Sequence, residues 1–215
     1  MKKGLTELVF ILDKSGSMSG LEKDTIGGFN AMLEKQKGVE GECRITTVLF
    51  SQRDILLHDR IDIQAVGLMT EDMYSVGGST ALLDAIGKTI NKIGNAQKAT
   101  AEDFRAEKVL FVIITDGEEN SSRLYSSEQV KAMIERQKTK YNWEFIFLGA
   151  NIDAVETAEK FGINADRAQS YHADHAGVQL NYCAMSNAVE FFRTTAEMPK
   201  DWNAAIDKDY KKRKK

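Results

Sequence analysis

Two spacings of apolar residues alternate along this chain. Residues 8–12 (LVFIL), 108–115 (KVLFVIIT) and 143–148 (WEFIFL) are short, near-continuous apolar runs, the pattern of strands buried on both faces. Between them, apolar side chains recur at helical intervals. Ile26, Phe29 and Leu33 predict a helix over 24–36, ended by Gly38 and Gly41. Leu82, Leu83, Ile86, Ile90 and Ile93 predict a second helix over 81–93, after which 95–106 reads as a polar, irregular excursion. Val130, Ile134 and Gln137 mark a third over 127–141. A short helix over 153–161, a last strand over 169–172 and an amphipathic helix over 178–195 complete the series. The last of these carries Leu180, Cys183, Ala184, Val189 and Phe192 on its apolar side.

Strands alternating with helices predict an α/β fold, a Rossmann-like three-layer sandwich with a mostly parallel central sheet and helices on both faces. One connection departs from that pattern. Residues 43–50 and 54–62 both read as strands, and only Ser51, Gln52 and Arg53 join them. Parallel neighbours need a crossover of a dozen or more residues, so 54–62 is expected to be an antiparallel edge strand.

Polar chemistry gathers where the apolar runs stop. The first strand leads into Asp13-Lys14-Ser15-Gly16-Ser17; Gly77-Gly78-Ser79-Thr80 opens the second helix; 108–115 leads into Asp116-Gly117-Glu118. In an open α/β sheet the loops at the carboxyl ends of the strands line the ligand crevice, so these three segments are expected on one rim. Hydroxyl and carboxylate oxygens suit a hard cation such as magnesium, manganese or calcium. Taken singly, each residue has an ordinary reading: Asp13 as a turn residue, Thr80 as a helix cap, Asp116 in a tight turn with Gly117. The shared rim argues for an ion. Glu118, Glu119 and Asn120 read first as solvated loop residues, with tuning of the rim or a partner contact as the alternative.

This arrangement resembles the von Willebrand factor A domain and its metal-ion-dependent adhesion site, whose pattern is D-x-S-x-S, then a Thr, then an Asp after a strand. The pattern falls on Asp13, Ser15, Ser17, Thr80 and Asp116 with no departure in residue type, and the resemblance extends over residues 5–195. It implies a bound divalent cation, Mg2+ or else Mn2+ or Ca2+. Ser15, Ser17 and Thr80 would be direct ligands, and Asp13 and Asp116 would act partly through water. It further implies a protein partner whose Asp or Glu carboxylate takes an open coordination position. Sites of this family can also switch as coordination shifts between the Thr and an Asp, with movement of the last helix.

Composition narrows the remaining classes. The chain has 215 residues, 42% of them apolar, and one proline, which suits a single packed domain over 1–207 and argues against a linker-rich protein. Residues 208–215 (KDYKKRKK) hold six basic groups and one acid, a local +5 that leaves −8 on the other 207 residues of a chain with net charge −3. The basic segment is expected to be a disordered, solvated tail, and the acidic body disfavours a nucleic-acid surface. No apolar run approaches the ~18 residues of a membrane span. The beginning, Met1-Lys2-Lys3-Gly4, lacks the apolar region of a signal peptide, so the expectation is a stand-alone cytoplasmic protein with Cys43 and Cys183 reduced and buried.

Three other signals are weaker. Gly87-Lys88-Thr89 looks like the end of a phosphate-binding loop, but Leu82 stands where that motif needs glycine. His172, Asp174 and His175, with Cys183 beyond, hint at zinc and read better as a polar loop. A magnesium-dependent phosphoryl hydrolase would also place an Asp after the first strand. The second acid of its D-x-D motif is here Ser15, which cannot act as a general acid at neutral pH. The expectation is therefore a non-enzymatic interaction module, with a passive scaffold subunit as the remaining alternative.

Overall fold

In the computed structural model, which describes residues 1–213, the apolar runs become the strands of one six-stranded sheet. These are β1 (Lys2–Asp13), β2 (Cys43–Phe50), β3 (Asp54–Asp62), β4 (Ala106–Thr115), β5 (Glu144–Ala150) and β6 (Ala168–Tyr171). Their order is β3-β2-β1-β4-β5-β6. All neighbouring strands are parallel except β2 and β3, which fold back on each other with Phe50 opposite Asp54, as their short connection requires. The helices are α1 (Glu22–Lys37), α2 (Leu82–Ala99), α3 (Ser127–Tyr141), α4 (Ala154–Lys160), α5 (His175–Thr195) and α6 (Ala204–Arg213).

The two-residue alternation of β1 decides which helices cover which face. Leu8, Phe10 and Leu12 join Phe29 and Leu33 of α1 and Met185, Val189 and Phe192 of α5 in one core layer. Val9 and Ile11 join Ile86 and Ile90 of α2, Val130 and Ile134 of α3, and Ala158 of α4 in the other. Each large side chain so buried contributes about 1.5–3 kcal/mol. Over residues 8–12 both faces of β1 are consequently dry, which is why that stretch is an unbroken apolar run.

The chain leaves β1 through α1 towards β2 and later returns through α2 to β4, on the other side of β1. Crossovers therefore diverge between β1 and β4, which leaves a crevice beyond the carboxyl ends of those two strands. Asp13 is the last residue of β1, and Asp116 directly follows the last residue of β4. No helix among the described residues is long and apolar enough to cross a membrane.

Three expectations change. First, α2 does not stop near Ile93 but continues to Ala99, closed by Thr100, whose hydroxyl donates to the Ala96 carbonyl at 2.7 Å. Its last turns are polar because they lie largely outside the core. Second, the basic segment expected to be disordered from residue 208 is helical through Arg213. Buried Trp202 and Ile206 anchor it, Lys211 pairs with Asp207, and Arg213 pairs with Asp209 and Asp174. Lys214 and Lys215 lie outside the described residues. Third, Cys183 is exposed while Cys43 is buried. The buried stripe of α5 runs through Val178, Tyr182, Met185, Val189 and Phe192, and Cys183 lies off that line.

Candidate metal centre

Asp13 is 1% exposed, an expensive place for a carboxylate, and its surroundings are built to hold it. Its Oδ1 accepts the Ser15 N–H at 2.7 Å and its Oδ2 accepts the Thr115 hydroxyl at 2.6 Å. The Tyr74 hydroxyl donates to the main-chain oxygen of the same residue. Thr115 ends β4, so the two central strands fix Asp13 between them. The next residues curl into one short helical turn, Gly16–Met18. That turn brings the hydroxyls of Ser15 and Ser17 to 3.1 Å from each other. Ser17 then donates to Asp116 Oδ1 at 2.5 Å.

Thr80 arrives on a separate loop that is tied to the first. The Gly77 N–H donates to the Lys14 carbonyl at 2.8 Å, and the Gly16 N–H donates to the Gly78 carbonyl at 3.0 Å. Gly78 has φ +82°, which a residue with a side chain adopts only under strain. Gly117 matters for a different reason. A Cβ there would lie 3.1 Å from the Ser17 hydroxyl and 3.4 Å from the Thr80 hydroxyl, so both oxygens face the same bare stretch of backbone. All five residues singled out from the sequence thus meet at the crevice between β1 and β4.

These groups fit a small, hard divalent cation. Asp116 Oδ2 is buried and has no hydrogen-bond partner. Burial, partly offset by the Ser17 hydrogen bond and reinforced by the negative charge of Asp13, pushes the Asp116 carboxyl up to about 6. Burial also raises Asp13, against the hydrogen bonds from Thr115 and Ser15. Two carboxylates that resist ionising, beside a set of hydroxyl oxygens, form a site that lacks positive charge. Only oxygen donors converge, which suits magnesium, manganese or calcium better than a soft metal.

The structure also brings in residues that the sequence did not single out as ligands. Thr115 and Tyr74 orient Asp13, and Asn120 Oδ1 accepts the Thr80 N–H at 2.9 Å. Glu119, read from the sequence as solvated, accepts the Leu83 N–H at 2.9 Å and so caps the start of α2. The histidine cluster separates into unrelated contacts. His172 packs on Tyr210, His175 pairs with Asp24 at 2.5 Å, and Asp174 caps α5. Among the described residues no group of three or more His, Cys, Asp or Glu is placed to hold a metal. Gly87-Lys88-Thr89 lies within α2, where Lys88 pairs with Asp54.

No protein-family profile and no curated protein sequence matches the chain. Solved structures do. Proximal thread matrix protein 1 of the mussel byssus, with a zinc-occupied MIDAS motif, superposes with a TM-score of 0.60 at 13% identity, over 87% of this chain and 46% of that one. The ArnB paralog VWA2 of Sulfolobus acidocaldarius gives 0.54 at 20% identity, over 87% and 45%. Manganese-loaded TRAP protein of Plasmodium vivax gives 0.56 at 16% identity, over 84% and 73%. This chain therefore spans less than half the length of the first two. The mostly parallel sheet, the antiparallel edge strand and the helices on both faces are, with these likenesses, the architecture of a von Willebrand factor A domain.

Proposed function

We propose that this chain is a divalent-cation-dependent protein-binding module. The carrying observation is the buried, unpartnered Asp116 Oδ2 beside a rim of converging hydroxyls. In this reading Ser15, Ser17 and Thr80 offer neutral oxygens directly, while Asp13 and Asp116 supply charge and hold water. Thr115 and the Ser15 N–H keep Asp13 oriented. When bound, magnesium or manganese supplies a Lewis-acidic point at which an Asp or Glu carboxylate of a partner protein can coordinate. Ser17 is exposed, so the site opens to solvent on the side where a partner would approach. The zinc-occupied and manganese-loaded neighbours support divalent binding at such a site.

The reading favours binding over catalysis because no second acid or general base joins Asp13 on its loop. It is tested by titrating Mg2+ and Mn2+ calorimetrically into chelator-stripped protein, wild type beside Thr80→Ala. One-site binding by the wild type, lost in a variant whose melting curve is unchanged, is the expected result. A wild type that binds neither ion would overturn the proposal.

A further inference from the structure

Thr80 is the one candidate ligand that neither ends nor follows a central strand. It stands at the end of the irregular segment 66–81, next to the glycine pair Gly77-Gly78, and immediately before Ala81, the N-cap of α2. Nothing in that local sequence fixes its backbone. What does is the loop after β4.

The Thr80 N–H donates to Asn120 Oδ1 at 2.9 Å. The Thr80 carbonyl accepts the Asn120 N–H at 3.0 Å and the Ser121 N–H at 3.2 Å. Asn120 thus holds both polar groups of one residue, one with its side chain and one with its main chain. The neighbouring residues hold Asn120 in turn. Glu119 Oε1 accepts the N–H groups of Ser121 and Ser122 at 2.9 and 2.7 Å, while its Oε2 caps Leu83. The Ser122 hydroxyl accepts the Asp84 N–H at 3.0 Å, and Asp84 takes the N–H groups of Arg123, Leu124 and Tyr125. The segment from Glu119 to Tyr125 and the first turn of α2 are therefore one body, and that body holds Thr80.

We infer that Asn120 is a positioning residue for Thr80, one that sets the affinity of the ion site without touching the ion; the inference rests on the reading of Thr80 as a ligand. A threonine side chain has few χ1 choices, so fixing its peptide fixes its hydroxyl. Without the Asn120 acceptor the Thr80 N–H loses its partner, and the Thr80 peptide can turn between the flanking bonds at Gly78 and Ala81 that hold the loop. The two main-chain bonds to the Thr80 carbonyl remain, so the fold is retained. Groups that orient metal ligands in this way typically change affinity by about 10–100-fold when removed.

The test is Mg2+ and Mn2+ calorimetry on the full chain, stripped of metal, with thermal melts alongside. Asn120→Ala is expected to weaken binding about 10-fold or more. Asn120→Asp keeps the acceptor and is expected to bind within a few-fold of wild type. Ser122→Ala removes a stitch of the same body that does not reach Thr80, and is expected to lower the melting temperature while leaving affinity unchanged. Wild-type affinity in Asn120→Ala would overturn the inference. So would equal weakening in Ser122→Ala, or failure of Asn120→Asp to recover. Should the wild type bind neither ion, the ligand assignment itself falls, an outcome distinct from wild-type binding that Asn120→Ala leaves untouched.

Discussion

Gly27 and Gly28 are neighbours in α1, yet alanine at the two positions is expected to move stability in opposite directions. In a helix interior alanine is favoured over glycine by about 1 kcal/mol. A Cβ on Gly27 would have nothing within 4 Å, so the gain there is unopposed. For a chain of this size it raises Tm by about 2–4 °C. A Cβ on Gly28 would lie 2.4 Å from Cδ2 and 2.6 Å from Cγ of Tyr182 on α5. Carbon atoms prefer separations of about 3.5–4.0 Å, so the ring would have to retreat by about 1 Å. Tyr182 is 3% exposed and lies in the core layer with Val178 and Met185. Overpacking of this kind costs about 1–3 kcal/mol. At the upper end of that range, less the helix gain, Gly28→Ala loses about 2 kcal/mol, a fall in Tm of about 4–8 °C. Circular dichroism melts and urea titrations of both variants read the effect. In a Tyr182→Ala background, where only the side-chain Cβ at 3.1 Å remains, most of the Gly28→Ala penalty is expected to go, which assigns it to the ring. Shifts of equal sign and size for the two glycines, or a penalty that survives without the ring, would refute the reasoning.

Other substitutions probe different parts of the fold. Arg193, 3% exposed, donates to the carbonyl of Gln36 in the last turn of α1 at 2.5 Å and, just past that helix, to Val39 at 3.2 Å and Gly41 at 3.0 Å. Arg193→Met strands these acceptors and is expected to cost about 3 kcal/mol or more by urea unfolding, and Arg193→Lys recovers little because an ammonium lacks the planar fork. Asp116 has its carboxyl raised from 3.8 to about 6, so its contribution to the stability of the metal-free chain is full below pH 4 and is lost as pH rises through 6. In chelator, Asp116→Asn is therefore expected to be more stable than wild type at pH 7.5, by up to about 3 kcal/mol, with the advantage gone at pH 4; an advantage independent of pH would contradict this. Magnesium at pH 7.5 is expected to stabilise the wild type and not Asp116→Asn. Trp202→Ala is expected to release α6, read as loss of amide protection confined to the region around residues 204–213, at a cost of about 3 kcal/mol or more.

How much of this was legible depends on the range of the forces involved. The bounds of β2 and β3, and the reversal between them, follow from a local pattern and a short connection, and the sequence carries both. The candidate residues Asp13, Ser15, Ser17 and Asp116 were legible because strand ends mark the rim, and Thr80 because it stands where a helix opens. The groups that aim them were not. Thr115 looks like the last residue of an apolar run, and Tyr74 and Asn120 reach Asp13 and Thr80 across 61 and 40 positions of chain. The end of α2 misled because an exposed helical turn and a loop share one composition. The basic C-terminal segment misled for the opposite reason: its charges are conspicuous, and what orders it is two apolar residues upstream, Trp202 and Ile206.

The two outer strands have a consequence for how the protein behaves in company. At one margin β3 breaks register with β2 twice around Thr47, and Lys88 and Lys92 of α2 reach over to its Asp54 and Asp59. At the other margin β6 is four residues long and has α6 beside it, with Asn203 bonded to Gln169 at 2.9 Å. Kinked, charged margins and short, shielded ones are both poor templates for another chain. Crowding therefore gives this sheet little opportunity to grow from molecule to molecule. Packed beside β6, α6 shields that margin from the strand of another chain.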